Sequence, residues 1–144
     1  MKILVTGSAG FVGSYVAESL MNDGHEVVGF DNFNNYYDVS LKEARNARLE
    51  GREGFTLIRG DLTDFQLLTS NFQQHKPDRV CHLAAQAGVR YSIENPFAYQ
   101  QSNLEGHLNV LEACRHAEIE RLVYASSSSV YGGNTKLPFS ESDP

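Results

Sequence analysis

Thr6-Gly7-Ser8-Ala9-Gly10-Phe11-Val12-Gly13 leaves one apolar run, Lys2 to Thr6, and enters a stretch of helical period with no loop between them. Val12, Val16 and Leu20, with Tyr15 beside them, recur every three or four residues, and Asn22-Asp23-Gly24 then supplies a stop. A strand that passes into a helix through glycines aims unpaired backbone N–H groups and the positive end of the helix dipole at one spot. That spot suits a diphosphate, provided no side chain keeps it away. Gly7 permits the tight turn, Gly10 lets the backbone approach the ligand, and Gly13 lets the helix pack closely on the sheet. The spacing is Gly-x-x-Gly-x-x-Gly, one residue longer in its first interval than the Gly-x-Gly-x-x-Gly fingerprint. A glycine-rich turn without a ligand is the plainer alternative. On the first reading Gly7, Gly10, Phe11, Val12 and Gly13 are the candidate ligand-binding residues of this loop.

Outward from this loop, short apolar runs alternate with helical stretches, the pattern of βαβ units in a parallel sheet covered on both faces. Strands are expected at Lys2 to Thr6, Glu26 to Phe30, Phe55 to Ile58, Arg79 to Ala84 and Arg121 to Ala125. Ser40-Leu41-Lys42-Glu43 and Thr63-Asp64-Phe65-Gln66 read as capping boxes opening two helices, the first running to Gly51 and the second ending before Pro77. Phe65, Leu68 and Phe72 share a face of the second. A longer helix is expected from about Phe97 to Ala117, with Leu104, Leu108 and Leu111 as its core seam and Gly106 as a weak point. The fold class is α/β, a doubly wound parallel sheet of at least five strands, and residues 1–144 form one domain.

Composition narrows the function classes. Eighteen acidic against twelve basic residues give a net charge of −6, which argues against a broad footprint for nucleic acid or anionic lipid. An anionic ligand must therefore be held by local geometry. No apolar run has the length of a signal-peptide core or a membrane span, so a cytoplasmic protein without membrane attachment is expected. Cys81 and Cys114 lie in apolar segments without metal-ligand spacing and read as free thiols.

Asp31 closes the second strand, eighteen residues after Gly13, where a dinucleotide fold places an acid to accept from the adenosine ribose hydroxyls. Its charge repels a 2′-phosphate, and no arginine follows within ten residues, so NAD is expected in preference to NADP. A solvated turn at a strand end is the plainer alternative for Asp31-Asn32. After the third strand, Asp61 in Arg59-Gly60-Asp61-Leu62 could accept from an adenine amino group.

Several stretches together resemble the extended short-chain dehydrogenases that act on nucleotide sugars, the NAD-dependent epimerase/dehydratase family. They are Thr6-Gly7-x-x-Gly10-Phe11-x-Gly13, Gly60-Asp61-Leu62, His82-Leu83-Ala84-Ala85, Asn103, and Ala125-Ser126-Ser127-Ser128-Ser129-Val130-Tyr131-Gly132. Asp31-Asn32-Phe33-Asn34-Asn35-Tyr36-Tyr37-Asp38 with Leu41-Lys42, and Ala85-Gln86-Ala87-Gly88-Val89-Arg90-Tyr91-Ser92, look most like the UDP-glucuronate 4-epimerases. The resemblance implies NAD contacts at Asn32, Asp61, Leu62, Leu83, Ala84 and Ala85, and an ordering role near the nicotinamide for Asn103. It also implies that Arg90 meets phosphates of the substrate or nucleotide, for which a guanidinium offers a bidentate fork.

In the family pattern Ser127 hydrogen-bonds the sugar hydroxyl being oxidised, and Ser128 and Ser129 contact the rest of a UDP-sugar substrate. Dehydratases and decarboxylating relatives carry acids at the positions of Ser128 or Ser129, and a hydroxyl is too weak to replace them in elimination. The resemblance therefore implies reversible hydride transfer at C4 through a 4-keto sugar, converting UDP-glucuronate to UDP-galacturonate. A UDP-glucose epimerase and a non-catalytic NAD-binding module or sensor are the alternatives. The family's base, the tyrosine of Tyr-x-x-x-Lys, has no copy here: four positions before Lys42, Lys76 and Lys136 stand Asp38, Phe72 and Gly132. The expectation is an N-terminal part of an epimerase, inactive alone, stopping before a sixth strand and the substrate domain. The family's usual homodimer is expected of the full-length protein, with pairing helices largely beyond residue 144.

Overall fold

The computed structural model describes residues 1–143. Strands β1 (Lys2–Thr6), β2 (Glu26–Asp31), β3 (Phe55–Arg59), β4 (Arg79–His82) and β5 (Leu122–Tyr124) alternate with helices α1 (Phe11–Asn22), α2 (Val39–Ala47) and α3 (Phe65–His75). Between β4 and β5 come the short α4 (Val89–Glu94) and α5 (Pro96–Tyr99), a π-helical turn at Gln100–Glu105, and α6 (Gly106–His116). A 3-10 turn, Ser128–Tyr131, follows β5. The sheet is parallel throughout, in the order β3-β2-β1-β4-β5. The order reverses between β1 and β4, and a crevice opens at their carboxyl ends, the usual ligand position in such sheets.

Alternation along β1 sends its side chains to two separate cores. Ile3 and Val5 join Ala17, Met21, Val27 and Leu49 on one face of the sheet. Leu4 joins Val28, Phe30, Leu68, Phe72, Val80 and Val110 on the other. The doubly wound sheet expected from the sequence is thus present, with strand ends displaced by one or two residues. β4 ends at His82 rather than Ala84: the Leu83 N–H is shared between Thr6 O and the Thr6 hydroxyl, 3.2 Å from each, and the Ala84 N–H donates to that hydroxyl at 3.2 Å. That interaction turns the chain out of the sheet ladder.

Both capping boxes are misassigned. Asp38, not Ser40, caps α2, accepting from Ser40 N at 2.9 Å. Asp64, not Thr63, caps α3, accepting from Leu67 N at 2.9 Å. The first expected helix also ends at Ala47 rather than Gly51. The long helix from Phe97 is interrupted by the π-helical turn, and its leucine seam faces outward, with Leu104 68% and Leu108 57% exposed. Gly106, Val110, Ala113 and Cys114 face the sheet instead. In α1 the inward face is Gly13, Ser14, Ala17 and Met21, while Val12 and Tyr15 are exposed. The reason is common to both helices: small residues let the helix axis approach the sheet, and larger ones at those positions would hold it off.

Among the described residues Cys81 and Cys114 are free, and burial pushes the Cys114 thiol up to about 11. No helix among them is long and apolar enough to cross a membrane.

Candidate functional site

At the switch point the glycine loop is fixed by its own backbone. Gly7, at φ +71°, donates to Phe30 O at 2.7 Å, and Gly10 N donates to Gly7 O at 2.9 Å. A Cβ on Gly7 would stand 2.8 Å from Ala84 N, and one on Gly13 only 2.0 Å from Gly7 O. Bare backbone is therefore required at both positions. Gly10 precedes α1 with no capping side chain, so the first-turn N–H groups stay open to a ligand.

These residues line a cavity of about 500 Å³. Its wall holds Gly7, Gly10, Phe11, Val12, Gly13, Asp31, Asn32, Asp61, Leu62, Leu83, Ala84 and Ala85. Asp31 is buried, and its two oxygens accept from Ala9 N at 3.0 Å and Phe33 N at 2.8 Å. The acid thus ties the end of β2 to the glycine loop while remaining in the cavity wall. Asp61 accepts from Thr63 N, the Thr63 hydroxyl and Asn32 Nδ2 at 2.8 to 2.9 Å. Burial alone would raise its pKa, but those donors together hold the carboxyl below its usual value.

Asn103 is not in the wall. Its amide forms a two-bond clamp on one that is, accepting from Gln86 N at 2.7 Å and donating to Gln86 O at 2.9 Å. Arg90 is exposed on α4 and lies outside the cavity wall. Ser127, Ser128 and Ser129 are also exposed and outside it, just beyond β5, where Ser127 Oγ accepts from Ser129 N at 3.2 Å.

Asn34, Tyr36, Tyr37, Leu41, Lys42, Arg45 and Ser102 also line the cavity and were not among the candidates. Lys42 Nζ donates to Asn34 Oδ1 at 2.8 Å, and Arg45 Nη1 donates to the Tyr37 hydroxyl at 2.9 Å. These bonds fold the segment after β2 back onto α2. The spacing Asn34, Tyr37, Lys42, Arg45 carried no periodic signal, because the pairs join a loop to a helix.

A family model described as GDP-mannose 4,6 dehydratase matches residues 4–144. UDP-glucuronate 4-epimerase 2 of Arabidopsis thaliana is 53% identical over 144 residues, covering 99% of this chain and 33% of that protein. Protein CapI of Staphylococcus aureus is 54% identical over 143 residues, covering 99% of this chain and 42% of its own length. The chain therefore spans less than half the length of either relative. Among solved structures, UDP-glucuronic acid 4-epimerase from Bacillus cereus, in complex with UDP-glucuronic acid and NAD, superimposes with a TM-score of 0.84 at 38% identity. That match covers 94% of this chain and 43% of the other. UDP-glucose-4-epimerase from Stenotrophomonas maltophila, with bound NAD and formylated UDP-arabinopyranose, gives a TM-score of 0.85 at 34% identity, over 99% of this chain and 41% of the other. With the glycine loop, the strand order and the matched residues in agreement, the chain belongs to the NAD-dependent epimerase/dehydratase family.

Proposed function

We propose that these residues form the NAD-binding part of a nucleotide-sugar 4-epimerase that inverts C4 of UDP-glucuronate to give UDP-galacturonate. The observation that carries the reading is the single cavity shared by the uncapped glycine loop and the buried Asp31 carboxylate. Its volume and its bare backbone suit a dinucleotide. When bound, NAD supplies the hydride acceptor and donor for the sugar carbon.

The chain's own residues bind and orient. Main-chain N–H groups at the start of α1 hold the diphosphate, and Asp31 accepts from the adenosine ribose hydroxyls. Asn32 and Asp61 lie toward the adenine, while Leu62, Leu83, Ala84 and Ala85 keep water from the cofactor. Asn103 holds this wall through Gln86. Ser127 donates to the sugar hydroxyl, Ser128 and Ser129 meet the rest of the sugar, and Arg90 meets a phosphate or carboxylate. Hydroxyls at Ser128 and Ser129 favour epimerisation over dehydration, although the matching family model is named for a dehydratase. The 144 residues contain no Tyr-x-x-x-Lys, so on this reading they bind NAD without turning over. The full-length protein is a cytoplasmic homodimer in the same reading.

The likeness to a UDP-glucose 4-epimerase supports a second reading, in which the sugar is neutral. Titration calorimetry with NAD tests the cofactor site: the folded chain gives a saturable heat, and a folded chain giving none overturns the proposal. Reading the gene past Pro144 tests the enzyme. An in-frame Tyr-x-x-x-Lys supports it, and turnover of UDP-glucuronate against UDP-glucose then separates the two sugars. A stop codon favours a non-catalytic NAD-binding module.

A further inference from the structure

Residues 127–143 hold themselves in shape. Among the described residues, every hydrogen bond this segment makes stays within it. Asp143 is the centre of the set. Its Oδ2 accepts from Ser140 N at 2.8 Å and from Asn134 Nδ2 at 3.1 Å, and its Oδ1 accepts from Lys136 Nζ at 2.9 Å. The Asp143 side chain is only 6% exposed, although its partner Lys136 is 65% exposed and the segment lies beyond the edge strand β5. Lys136 first, then the Ser140 N–H, hold the Asp143 carboxyl below its usual value against the opposing effect of burial.

The set runs back to the serines. Asn134 Oδ1 accepts from Lys136 N at 2.9 Å, Asn134 N donates to Tyr131 O at 3.1 Å, and Gly132 N donates to Ser129 O at 3.1 Å. Tyr131, the last residue of the 3-10 turn, stacks on Phe139 with ring centroids 4.5 Å and planes 11° apart. An exposed ion pair alone would contribute little. A carboxylate that gathers a backbone N–H, an amide and an ammonium from three points of one loop fixes the path of that loop. Side chains that meet a substrate need fixed support, and for the serine run that support comes from the loop that follows it. We propose that Asp143 is a positioning residue for Ser127, Ser128 and Ser129, acting through Asn134, Lys136 and Ser140 on the turn that presents those hydroxyls to the sugar. The inference rests on the UDP-sugar reading above.

Backbone ¹⁵N relaxation of the 144-residue chain and its Asp143→Ala and Lys136→Met variants, each alone and titrated with UDP-glucuronate, tests it. In the unmodified chain the amides of Ser128–Tyr131 are as ordered as those of β1 to β4, at order parameters of about 0.85; in Asp143→Ala they fall below about 0.6 while the strands hold theirs. Lys136→Met removes only the exposed ion pair and leaves the turn ordered. UDP-glucuronate shifts the Ser128 and Ser129 amides of the unmodified chain, and in Asp143→Ala the same shifts need about tenfold more ligand, the scale of one lost hydrogen bond. A turn equally ordered in Asp143→Ala, or equal affinities in the two chains, overturns the inference and leaves the sugar reading standing. So does a turn that loosens as much in Lys136→Met, since the ion pair alone then holds it, and so does disorder that spreads to the sheet, since Asp143 then supports the whole fold. Serine amides that ignore UDP-glucuronate in the unmodified chain overturn the sugar reading and the inference together.

Discussion

Thr6 Oγ1 lies 2.6 Å from His82 Nδ1, joining the residue before Gly7 to the last residue of β4. The same hydroxyl accepts from Leu83 N and Ala84 N, so its own proton goes to Nδ1 and His82 carries its hydrogen on Nε2. The imidazole is buried and stacks on His107 with centroids 5.1 Å apart. Burial, aided by the neighbouring His107, lowers its pKa from 6.5 to about 4. One hydroxyl thereby sets where the cavity wall departs from the sheet.

Acid destabilises the fold through this imidazole. Its folded-state pKa lies below its unfolded one, so between 6.5 and about 4 the unfolded chain binds a proton that the folded chain does not. The contribution of the neutral ring is whole above that window and is lost as pH falls through it, to a limit of about 3 kcal/mol. Urea unfolding at pH 7, 5.5 and 4.5 measures the slope. In His82→Gln the slope flattens by at most about 1.4 kcal/mol per pH unit, the share of one proton, and an unchanged slope refutes the assignment.

Gly13→Ala separates an obligatory glycine from an incidental one. The added methyl would meet Gly7 O at 2.0 Å, and a backbone carbonyl inside a hydrogen-bonded turn cannot swing aside. Destabilisation of about 3 kcal/mol is expected, the upper end for overpacking, with loss of NAD binding. Gly133→Ala, where a Cβ meets nothing within 4 Å, should change stability by less than about 0.5 kcal/mol. Denaturant midpoints and NAD titrations of the two variants make the comparison.

The sheet was legible because its strands are short apolar runs, and buried parallel strands need little else. Which helix face turns inward was not. Leu104-Leu108-Leu111 and Gly106-Val110-Ala113-Cys114 are both helical stripes in one segment, and apolarity ranks the leucines first. Close approach to the sheet selects the smaller stripe. The π-helical turn left no mark in residue type. In the cavity wall, the glycines and Asp31 were legible because each answers a local demand of backbone or charge. Lys42 and Arg45 were not, since their partners Asn34 and Tyr37 each lie eight residues earlier in a loop.

Leucines on the two faces should differ in kind. Leu68→Ala removes a fully buried side chain from the larger core and should cost about 2–5 kcal/mol. Leu108→Ala, on a side chain 57% exposed, should cost under about 1 kcal/mol in the isolated chain. Equal costs by denaturant unfolding would place Leu108 in a packed interior and contradict the orientation of α6.

Asn103 acts on the cavity through Gln86 alone, and that separation can be measured. Asn103→Leu removes both halves of the clamp and leaves the Gln86 N–H and C=O without the partners they have now. Each unpaired buried group costs about 1–3 kcal/mol, less where water can reach it. Hydrogen exchange at the Gln86 amide should accelerate at least tenfold, while amides of β1 and β2, on the other side of the switch point, keep their protection. NAD affinity should fall only severalfold, because the glycine loop and Asp31 are untouched. A loss of NAD binding as complete as that in Gly13→Ala, with Gln86 exchange unchanged, would put Asn103 in direct contact with the cofactor instead.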